Sequence, residues 1–331
     1  MRQAKKKALR FAIVCVVAGL LIGFVALAAL DFNFFEMGTM ESVTNAYVVH
    51  EGFTNIRVWG AECDVRLIPS EDATCTVLCN ETDRITHTVT VENGTLTIQR
   101  ADNRRWFEHI GFMWHYWGPI EVIISLPEQA YEDLSIRTVS GAVEIPDSFS
   151  FSRAEVDGVS GDISFSAEVE GALLLKAVSG DIRVRGTSPE ALTVESTSGK
   201  ILADSVAVST AFCCKTVSGR QEISNLTCRS ATVYSTSGSV IASDLMAAES
   251  IRMETVSGSI RLTECDADTL WLKTVSGSVT GTLRTEKKFV ANTTSGAIRV
   301  PDTVGGGVCE VKTVSGSIRL DVTGTTDDAE E

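Results

Sequence analysis

The pair Ser-Gly returns along this chain at an almost constant spacing. Its glycine occurs ten times, at intervals of 19 or 20 residues. The ten glycines are Gly141, Gly161, Gly180, Gly199, Gly219, Gly238, Gly258, Gly277, Gly296 and Gly316. A unit this short has no room for a βαβ element and shows no amphipathic helix pattern, so the repeat predicts a stack of β-coils.

The residues around each glycine alternate as they do in strands. Two positions after the glycine, nine of the ten residues are β-branched aliphatics, and the exception is Gln221. The positions five and seven residues before the glycine are mostly apolar, and the residues between them are mostly polar. This alternation predicts a strand on each side of the Ser-Gly pair, with the apolar side chains facing a core.

Each unit is therefore predicted to contain a strand, a Ser-Gly corner, a second strand and a looser return loop. The glycine is explained either by a positive φ or by close approach of the neighbouring coil's backbone, since a Cβ hinders both. The extra residue of the 20-residue units is expected in the return loop, for which residues 301–307 (PDTVGGG) have a suitable composition. With about 4.8 Å between coils, ten coils form a rod roughly 50 Å long.

The repeated TVSGSIRL-type units carry a resemblance to a known family. Together with the weaker β-rich region before them and an entry formed by Leu126, Pro127 and Leu134, they resemble the bacterial "putative adhesin" β-strand-repeat family, which is built around a domain of unknown function. The resemblance covers residues 46–322. It implies a single-stranded β-solenoid in the cell envelope, with links to surface attachment or envelope-stress responses, and it supplies no catalytic residues.

The N-terminus predicts a membrane anchor. Residues 11–30 carry no charge and follow five positive charges, and they are long enough to span the bilayer as one transmembrane helix. The positive-inside rule places residues 1–10 in the cytoplasm and the bulk of the chain outside. A cleaved signal peptide is the competing interpretation, because Ala26-Leu27-Ala28 resembles a cleavage site, although the apolar run exceeds the usual length of a signal peptide's apolar region.

The remaining chain divides by composition. We expect a linker at 31–45, a degenerate β region at 46–129, the regular solenoid at 130–322 and a disordered acidic tail at 323–331. The formal net charge of −14 argues against nucleic-acid binding. Most of the nine cysteines are expected to be buried small hydrophobes. A disulfide, or half a metal site at Cys75 and Cys79, is the alternative; no metal and no cofactor are predicted.

One charged constellation in the repeat favours an alternative function. Four successive corner glycines are followed by Asp162, Asp181, Lys200 and Arg220. Such a stack suits a carbohydrate-active enzyme of the lyase or hydrolase type, whereas a surface ladder in which Asp181 pairs with Lys200 is the simpler interpretation. The repeat contains no histidine, and no nucleophile elbow or phosphate-binding loop occurs. We therefore predict that the protein is not an enzyme.

Aromatic residues concentrate in residues 103–119, NRRWFEHIGFMWHYWGP. They either cap an open end of the solenoid or form an exposed binding surface. On the second interpretation the binding residues are Trp106, Phe107, Phe112, Trp114, Tyr116 and Trp117. The predicted function is a non-enzymatic extracytoplasmic scaffold, adhesin or envelope-stress sensor, anchored in the bacterial membrane. Cell-wall glycan, lipid headgroups and a membrane protein are the candidate partners.

Overall fold

The computed structural model describes residues 19, 43–81, 85–102 and 121–323. These residues form 26 β-strands, which are numbered in chain order. The strands before the repeats are β1 (Val43–Val49), β2 (Asn55–Ala61), β3 (Asp64–Pro69), β4 (Cys75–Glu81), β5 (Ile85–Glu92), β6 (Thr95–Asp102) and β7 (Glu121–Leu126). The strands of the repeats are β8 (Ala130–Ser140), β9 (Val143–Ile145), β10 (Ser150–Ser160), β11 (Ile163–Phe165), β12 (Glu168–Val169), β13 (Ala172–Ser179), β14 (Ile182–Arg185), β15 (Ala191–Ser196), β16 (Ile201–Ala207), β17 (Ala211–Thr216), β18 (Gln221–Ser235), β19 (Val240–Thr255), β20 (Ile260–Cys265), β21 (Thr269–Thr274), β22 (Val279–Leu283), β23 (Lys287–Ser295), β24 (Ile298–Arg299), β25 (Gly307–Ser315) and β26 (Ile318–Val322).

Neighbouring units stack as parallel β-ladders. The strand before one corner pairs with the strand before the next, as where Leu173 of β13 faces Leu192 of β15. The strands after the corners pair in the same way, as where Ile182 of β14 faces Ile201 of β16. Equivalent residues of neighbouring units are therefore direct partners, and the all-β solenoid predicted from the repeat is confirmed.

The return segment of several units is a third side of the coil and not a loose loop. Both β18 and β19 continue from one corner to the next, and each bends at a residue with positive φ, Asn225 (50°) and Asp244 (53°). Ser205 (56°) and Glu264 (53°) bend at the equivalent positions. The prediction of a loose loop is wrong for these units, because a single left-handed residue lets the strand turn and continue. The residues that follow the four bends are buried and extend the core: Val206, Leu226, Leu245 and Cys265.

One of the 20-residue units shows where its additional residue lies. Between β18 and β19 the paired residues change from Cys228 and Ala247 to Ser230 and Ser250. The 20-residue unit therefore has one more residue between Ala247 and Ser250 than the 19-residue unit has between Cys228 and Ser230. This additional residue lies in the return segment. The predicted position of the extra residue is confirmed for this unit.

At the C-terminal end the units do not stack in chain order. The strands that flank Gly277, β21 and β22, pair with β25 and β26, which flank Gly316. The strands that flank Gly296, β23 and β24, pair with β25 and β26 on the opposite side. The last unit in the sequence is therefore inserted between the eighth and the ninth. A glycine at the start of the inserted strand permits this, since a Cβ on Gly307 would lie 1.8 Å from the carbonyl oxygen of Asp268.

The inverted order explains three errors in the predicted core. Phe289 and Ala291 are only half-buried, and Ile298 is 46% exposed, although the equivalent residues of the other nine units are buried. All three lie in the ninth unit, which is the outermost of the described layers. The alternation of apolar residues identifies the inward face, but the position of a unit in the stack decides whether another layer covers that face.

The strands before the repeats add two layers and a cap. Strands β2 and β3 pair with β8 and β9, while β6 and β7 pair with β2 and β3 on the other side, all in parallel. Beyond them β5 pairs with β6, β4 with β7 and β1 with β4, all antiparallel. The prediction of a single-stranded solenoid omits this antiparallel cap, because these strands lack the Ser-Gly period. One hydrophobic cluster extends from Val49 to Leu320.

Several predicted segments lie outside the described residues. They are the cytoplasmic segment at 1–10, the transmembrane helix at 11–30 (apart from residue 19), the linker at 31–45 (apart from residues 43–45), the aromatic insertion at 103–119 with its six binding residues, and the acidic tail after residue 323. No helix in the described part of the chain is long and apolar enough to cross a bilayer. The structure does place both ends of the insertion, since β6 ends at Asp102 and pairs with β2, while β7 begins at Glu121 and pairs with β3. The insertion therefore joins two strands where the repeat units have their Ser-Gly pair.

Candidate functional site

The ten corner glycines form a row along one edge of the solenoid, with their backbones in contact. A Cβ on Gly258 would lie 1.9 Å from the carbonyl oxygen of Gly238, and one on Gly238 would lie 1.7 Å from that of Gly219. At all ten glycines an added Cβ would come within 2.3 Å of a backbone atom of the neighbouring layer. Of the ten, only Gly141, Gly161 and Gly296 have a positive φ. Close approach of backbones is therefore the main reason for glycine at this edge.

A side-chain hydroxyl three residues before the corner glycine forms hydrogen bonds that link its own corner to the corner of the neighbouring layer. Thr255 Oγ1 accepts a hydrogen bond from the N–H of Gly258 and donates one to the carbonyl of Gly238, both at 3.1 Å. Thr274 donates to the carbonyl of Gly258 at 2.9 Å in the same way. The sequence analysis missed this role, although Thr or Ser stands at this position in eight of the ten units. These buried hydroxyls are structural and leave only the outward positions of the edge for binding.

The residue two positions before each glycine points outward and forms what we call the corner row. Its members are Val139, Val159, Val178, Thr197, Val217, Thr236, Val256, Val275, Thr294 and Val314. The exposed fraction of the seven valines ranges from 37% at Val275 to 50% at Val314. Single exposed valines are common on protein surfaces, but a continuous line of β-branched side chains marks a surface suited to contact with another molecule.

Two positions before the corner row lies a second outward line, the flanking row. Its charges alternate in sign along the run Arg137, Asp157, Lys176, Glu195 and Lys215, but Lys273 and Lys312 are neighbours of the same sign. The ammonium groups of Lys176 and Lys215 lie 3.7 Å and 3.1 Å from the carboxylate of Glu195. Such exposed pairs stabilise the fold little, but they cancel the charge of the edge locally. Trp59 and Tyr234 lie in the same row, 41% and 42% exposed. They are exposed aromatic side chains that do not stand out in the sequence, because both lie outside the aromatic cluster at 103–119.

The corner row and the flanking row border two shallow grooves. The residues lining the first groove include Lys176, Val178, Glu195, Thr197, Lys215, Val217 and Tyr234. Those lining the second include Lys273, Val275, Thr294, Lys312 and Val314. Each groove therefore has methyl groups on one side and polar groups on the other.

The two aspartates of the predicted charged stack are held in structural contacts. Arg183 lies between them, with Nη1 2.8 Å from Asp162 and Nη2 3.1 Å from Asp181. Each aspartate also accepts a backbone N–H from the next layer, Asp162 from Asp181 and Asp181 from Lys200, both at 2.9 Å. The hydrogen bond from Arg183 holds the pKa of Asp162 below its ordinary value, with burial opposing it. Asp162 is thus an ionised structural group and is unsuited to act as a general acid.

The two basic residues of the stack have a different partner from the one predicted. The ammonium of Lys200 pairs with Glu222, and Arg220 Nη1 lies 3.4 Å from the same carboxylate. The prediction of a side-chain pair between Lys200 and Asp181 is wrong, because only the backbone N–H of Lys200 reaches Asp181. The four residues lie in a charged ladder on the surface, in which Arg183 joins the two aspartates and Glu222 joins the two basic residues.

A cluster of buried polar groups lies in the antiparallel cap. One candidate ligand atom from each of Cys79, Glu81 and His87 lies within 4.8 Å of those of the other two. The carboxylate of Glu81 accepts hydrogen bonds from Asn45, from Tyr47 and from both the N–H and Nδ1 of His87. Burial acts to raise the pKa of Glu81, but these donors lower it overall. Burial also lowers the pKa of His87, partly offset by Glu81. Among the described residues, these three side chains could hold a metal ion.

The described cysteines are all free thiols, and seven of the eight are buried: Cys63, Cys75, Cys79, Cys214, Cys228, Cys265 and Cys309. Burial raises the pKa of Cys63 and Cys75 to about 11. Such thiols remain protonated at neutral pH and pack as small apolar groups. The prediction of buried cysteines is confirmed for these residues.

A parallel β-solenoid with a stacked Ser-Gly edge defines the structural class of this protein. The model of the Toastrack DUF4097 family matches residues 53–212 and 202–331, and the chain therefore belongs to this family. The resemblance to a β-strand-repeat family built around a domain of unknown function is thus confirmed. No curated protein is significantly similar to the chain in sequence.

Solved structures from several bacteria are similar to this chain over most of its length. A "putative adhesin" from Bacteroides fragilis is 15% identical, with 85% of this chain and 97% of that chain covered and a TM-score of 0.43. A "putative lipid binding protein" from Parabacteroides distasonis is 14% identical, with 86% and 98% covered and a TM-score of 0.49. At such identities, and with TM-scores below 0.5, these likenesses support neither a fold nor a function for this chain.

Proposed function

We propose that this protein is a non-enzymatic, adhesin-like scaffold of the bacterial cell envelope, which presents the corner edge of its solenoid to cell-wall glycan. The observation that carries the proposal is the corner row, in which exposed valine and threonine side chains continue through all ten repeat units. A catalytic site needs unlike groups that converge on one point. This edge instead repeats similar groups at every layer, which suits a partner that is itself a repeating polymer.

The chemistry of the edge favours a neutral glycan as that polymer. Sugar rings combine apolar C–H faces with hydroxyl groups, and the grooves combine valine methyl groups with threonine hydroxyls and paired charges. The exposed ring of Tyr234 offers a flat apolar surface on which a sugar can stack. The ring of Trp59 is already in contact with Arg57 and Arg137, whose guanidinium carbons lie 5.2 Å and 5.8 Å from its centroid. The layers lie about 4.8 Å apart, which is close to the length of one sugar residue. The net charge of −14 disfavours polyanions.

The envelope location rests on the sequence before residue 43. In the proposal the uncharged stretch 11–30 anchors the chain, with residues 1–10 in the cytoplasm and the solenoid outside. Strand β1 and both ends of the aromatic insertion lie at the N-terminal end of the stack, so the anchor would hold that end near the bilayer. In this orientation the aromatic insertion remains a predicted contact near the membrane. Envelope-stress sensing by this protein would need a partner protein.

The test is binding of the full-length protein, in mild detergent, to purified cell-wall fragments. Val178→Glu combined with Val217→Glu places two charges in the first groove, and binding should weaken roughly tenfold, or about 1.4 kcal/mol. Both valines are nearly half exposed, at 47% and 49%, so the fold should be unaffected. The matched control is Ala207→Glu combined with Thr227→Glu, which adds the same charges at exposed positions on another side of the coil.

Equal binding by both double variants and the unaltered protein would contradict the proposal. Equal losses in both variants would also contradict it, since they would show a general effect of charge and not a contact at the corner row. The same assay tests the alternative function, a carbohydrate-active enzyme, because such an enzyme would release soluble sugar from the cell-wall fragments over time. The structural contacts of Asp162, Asp181, Lys200 and Arg220 favour the scaffold.

A further inference from the structure

The two grooves of the corner edge differ in charge, although they occupy equivalent positions beside the corner row. Two acids and two lysines line the first groove: Asp157, Lys176, Glu195 and Lys215. No acid of the described chain lines the second groove, whose exposed polar side chains are those of Lys273, Asn292, Thr294 and Lys312. From this contrast we propose that the second groove binds a carboxylate group of an otherwise neutral glycan. This site depends on the proposed function, because the carboxylate belongs to the glycan that the corner edge would hold.

Two lysines are direct neighbours in the second groove. Lys273 of β21 and Lys312 of β25 face each other in the parallel ladder, in layers about 4.8 Å apart. Like charges at opposed positions repel each other and destabilise a sheet. The insertion of the tenth unit creates this contact, since in chain order Lys273 would face Asn292 instead. A carboxylate between the two ammonium groups would offset their repulsion.

The positive charge of Lys273 is not compensated by an acid. Its ammonium lies 5.6 Å from the centroid of the Trp271 ring and forms no ion pair among the described residues. Glu254 faces Lys273 from the neighbouring layer, but the carboxylate of Glu254 pairs with Arg252. The charge of Lys273 is therefore available to a ligand.

Lys312 and the layer beyond it supply further donors. Lys312 pairs with Glu310, which lies two residues earlier on β25 and outside the groove, and the two side chains are 50% and 32% exposed. Such an exposed pair is weak, so the ammonium of Lys312 can also contact a ligand. Asn292 faces Lys312 from the other side, and its amide and the hydroxyl of Thr294 are exposed. Donors from three layers thus surround the groove.

The groove suits a glycan with a carboxylate on alternate sugars better than one with a charge on every sugar. Its lining comes from the three layers of β21, β25 and β23, which together span about 10 Å. This length corresponds to roughly two sugar residues at one residue per layer. The net charge of −14 disfavours a polymer that is charged throughout, and the first groove has no excess of positive charge.

The test measures the binding of two hexasaccharides to the full-length protein, in mild detergent, by isothermal titration calorimetry. One is a hyaluronan hexasaccharide, which has a carboxylate on alternate sugars, and the other is neutral chitohexaose. We expect the hyaluronan hexasaccharide to bind roughly fivefold more tightly at low salt, as for a contact made by exposed ion pairs. The preference should disappear at high salt, because exposed charges are then screened.

A double variant tests whether the two lysines cause the preference. Lys273→Gln combined with Lys312→Gln should bring the two dissociation constants to the same value. Both lysines are exposed, so the fold should be unaffected. The matched control is Arg153→Gln combined with Arg185→Gln, which removes the same charge at exposed positions outside both grooves. This control should retain the preference.

The possible failures are distinguishable. Equal affinities of the unaltered protein for the two hexasaccharides would overturn the carboxylate site and leave the proposed scaffold function standing. A preference that is lost in both double variants, or retained in both, would also overturn the site, since the two lysines would not be its cause. Binding of neither hexasaccharide would overturn both the carboxylate site and the binding of glycan at this edge.

Discussion

Replacing one corner glycine in the middle of the stack should destabilise the solenoid strongly. The Cβ introduced by Gly258→Ala would lie 1.9 Å from the carbonyl oxygen of Gly238 and 2.8 Å from Oγ1 of Thr255. The two layers must separate locally, and overpacking of this kind costs about 1–3 kcal/mol. Separation also strains the adjacent hydrogen bonds from Ser257 N to Thr236 O (2.9 Å) and from Val240 N to Ser259 O (3.0 Å). At about 1 kcal/mol each, the total loss is about 3–5 kcal/mol.

The assay is urea denaturation of the full-length protein in mild detergent, followed by circular dichroism. Gly52→Ala is the matched control, because Gly52 has ordinary φ and no atom within 4 Å of an added Cβ; we expect a change within about 0.5 kcal/mol. Ser259→Ala, next to the corner at an exposed position, should also have a small effect. If Gly258→Ala unfolds at the same urea concentration as these two controls, close backbone contact is not the reason for the repeated glycine.

Three further predictions concern the corner hydroxyls, the order of the layers and the charged ladder. Thr255→Val keeps the shape of the side chain but leaves two buried backbone groups without a partner, so the free energy of unfolding should fall by about 1–3 kcal/mol in urea denaturation. Phe212→Ala should cost about 3–5 kcal/mol and Phe289→Ala clearly less, because Phe289 lies in the outermost described layer; equal losses would argue against the inverted order. The hydrogen bond from Arg183 depresses the pKa of Asp162 in the folded protein. The ionised Asp162 therefore stabilises the fold at any pH above its unfolded-state pKa near 3.8, and this stabilisation is lost as the pH falls through the lower folded-state pKa. Asp162→Asn should remove this part of the acid dependence of the melting temperature, and an unchanged profile would contradict it.

The fold of the repeat could be predicted because each unit carries the same local signals. The period of the Ser-Gly pair, the alternation around Gly258 and the exceptional Gln221 are all visible in one chain. The order of the last two units could not be predicted, since Phe289 and Ile298 match the pattern of buried residues in every other unit. What distinguishes them is a long-range pairing, β21 with β25, that leaves no periodic signal in the sequence.

The candidate sites were less predictable than the fold. No role could be assigned from the sequence to the valine of TVSG, whereas in the structure Val178 and Val217 belong to the exposed corner row. Cys79 and His87 lack the spacing of a known metal motif, and only the pairing of β1 with β4 brings Tyr47 and Asn45 to Glu81. Residues that are brought together by the pairing of distant strands cannot be identified from their spacing in the sequence.

The measurement that tests the account most directly is disulfide cross-linking between outward positions of the flanking row. Lys273 and Lys312 are direct partners in β21 and β25, while Asn292 of β23 faces Lys312 from the other side. Neighbouring layers about 4.8 Å apart permit a disulfide, but layers about 10 Å apart do not. We therefore predict that Lys273→Cys with Lys312→Cys cross-links on mild oxidation, as detected by peptide mass spectrometry, and that Lys273→Cys with Asn292→Cys does not. The reverse result would mean that the units stack in chain order, and failure of both pairs would contradict the stacked solenoid itself.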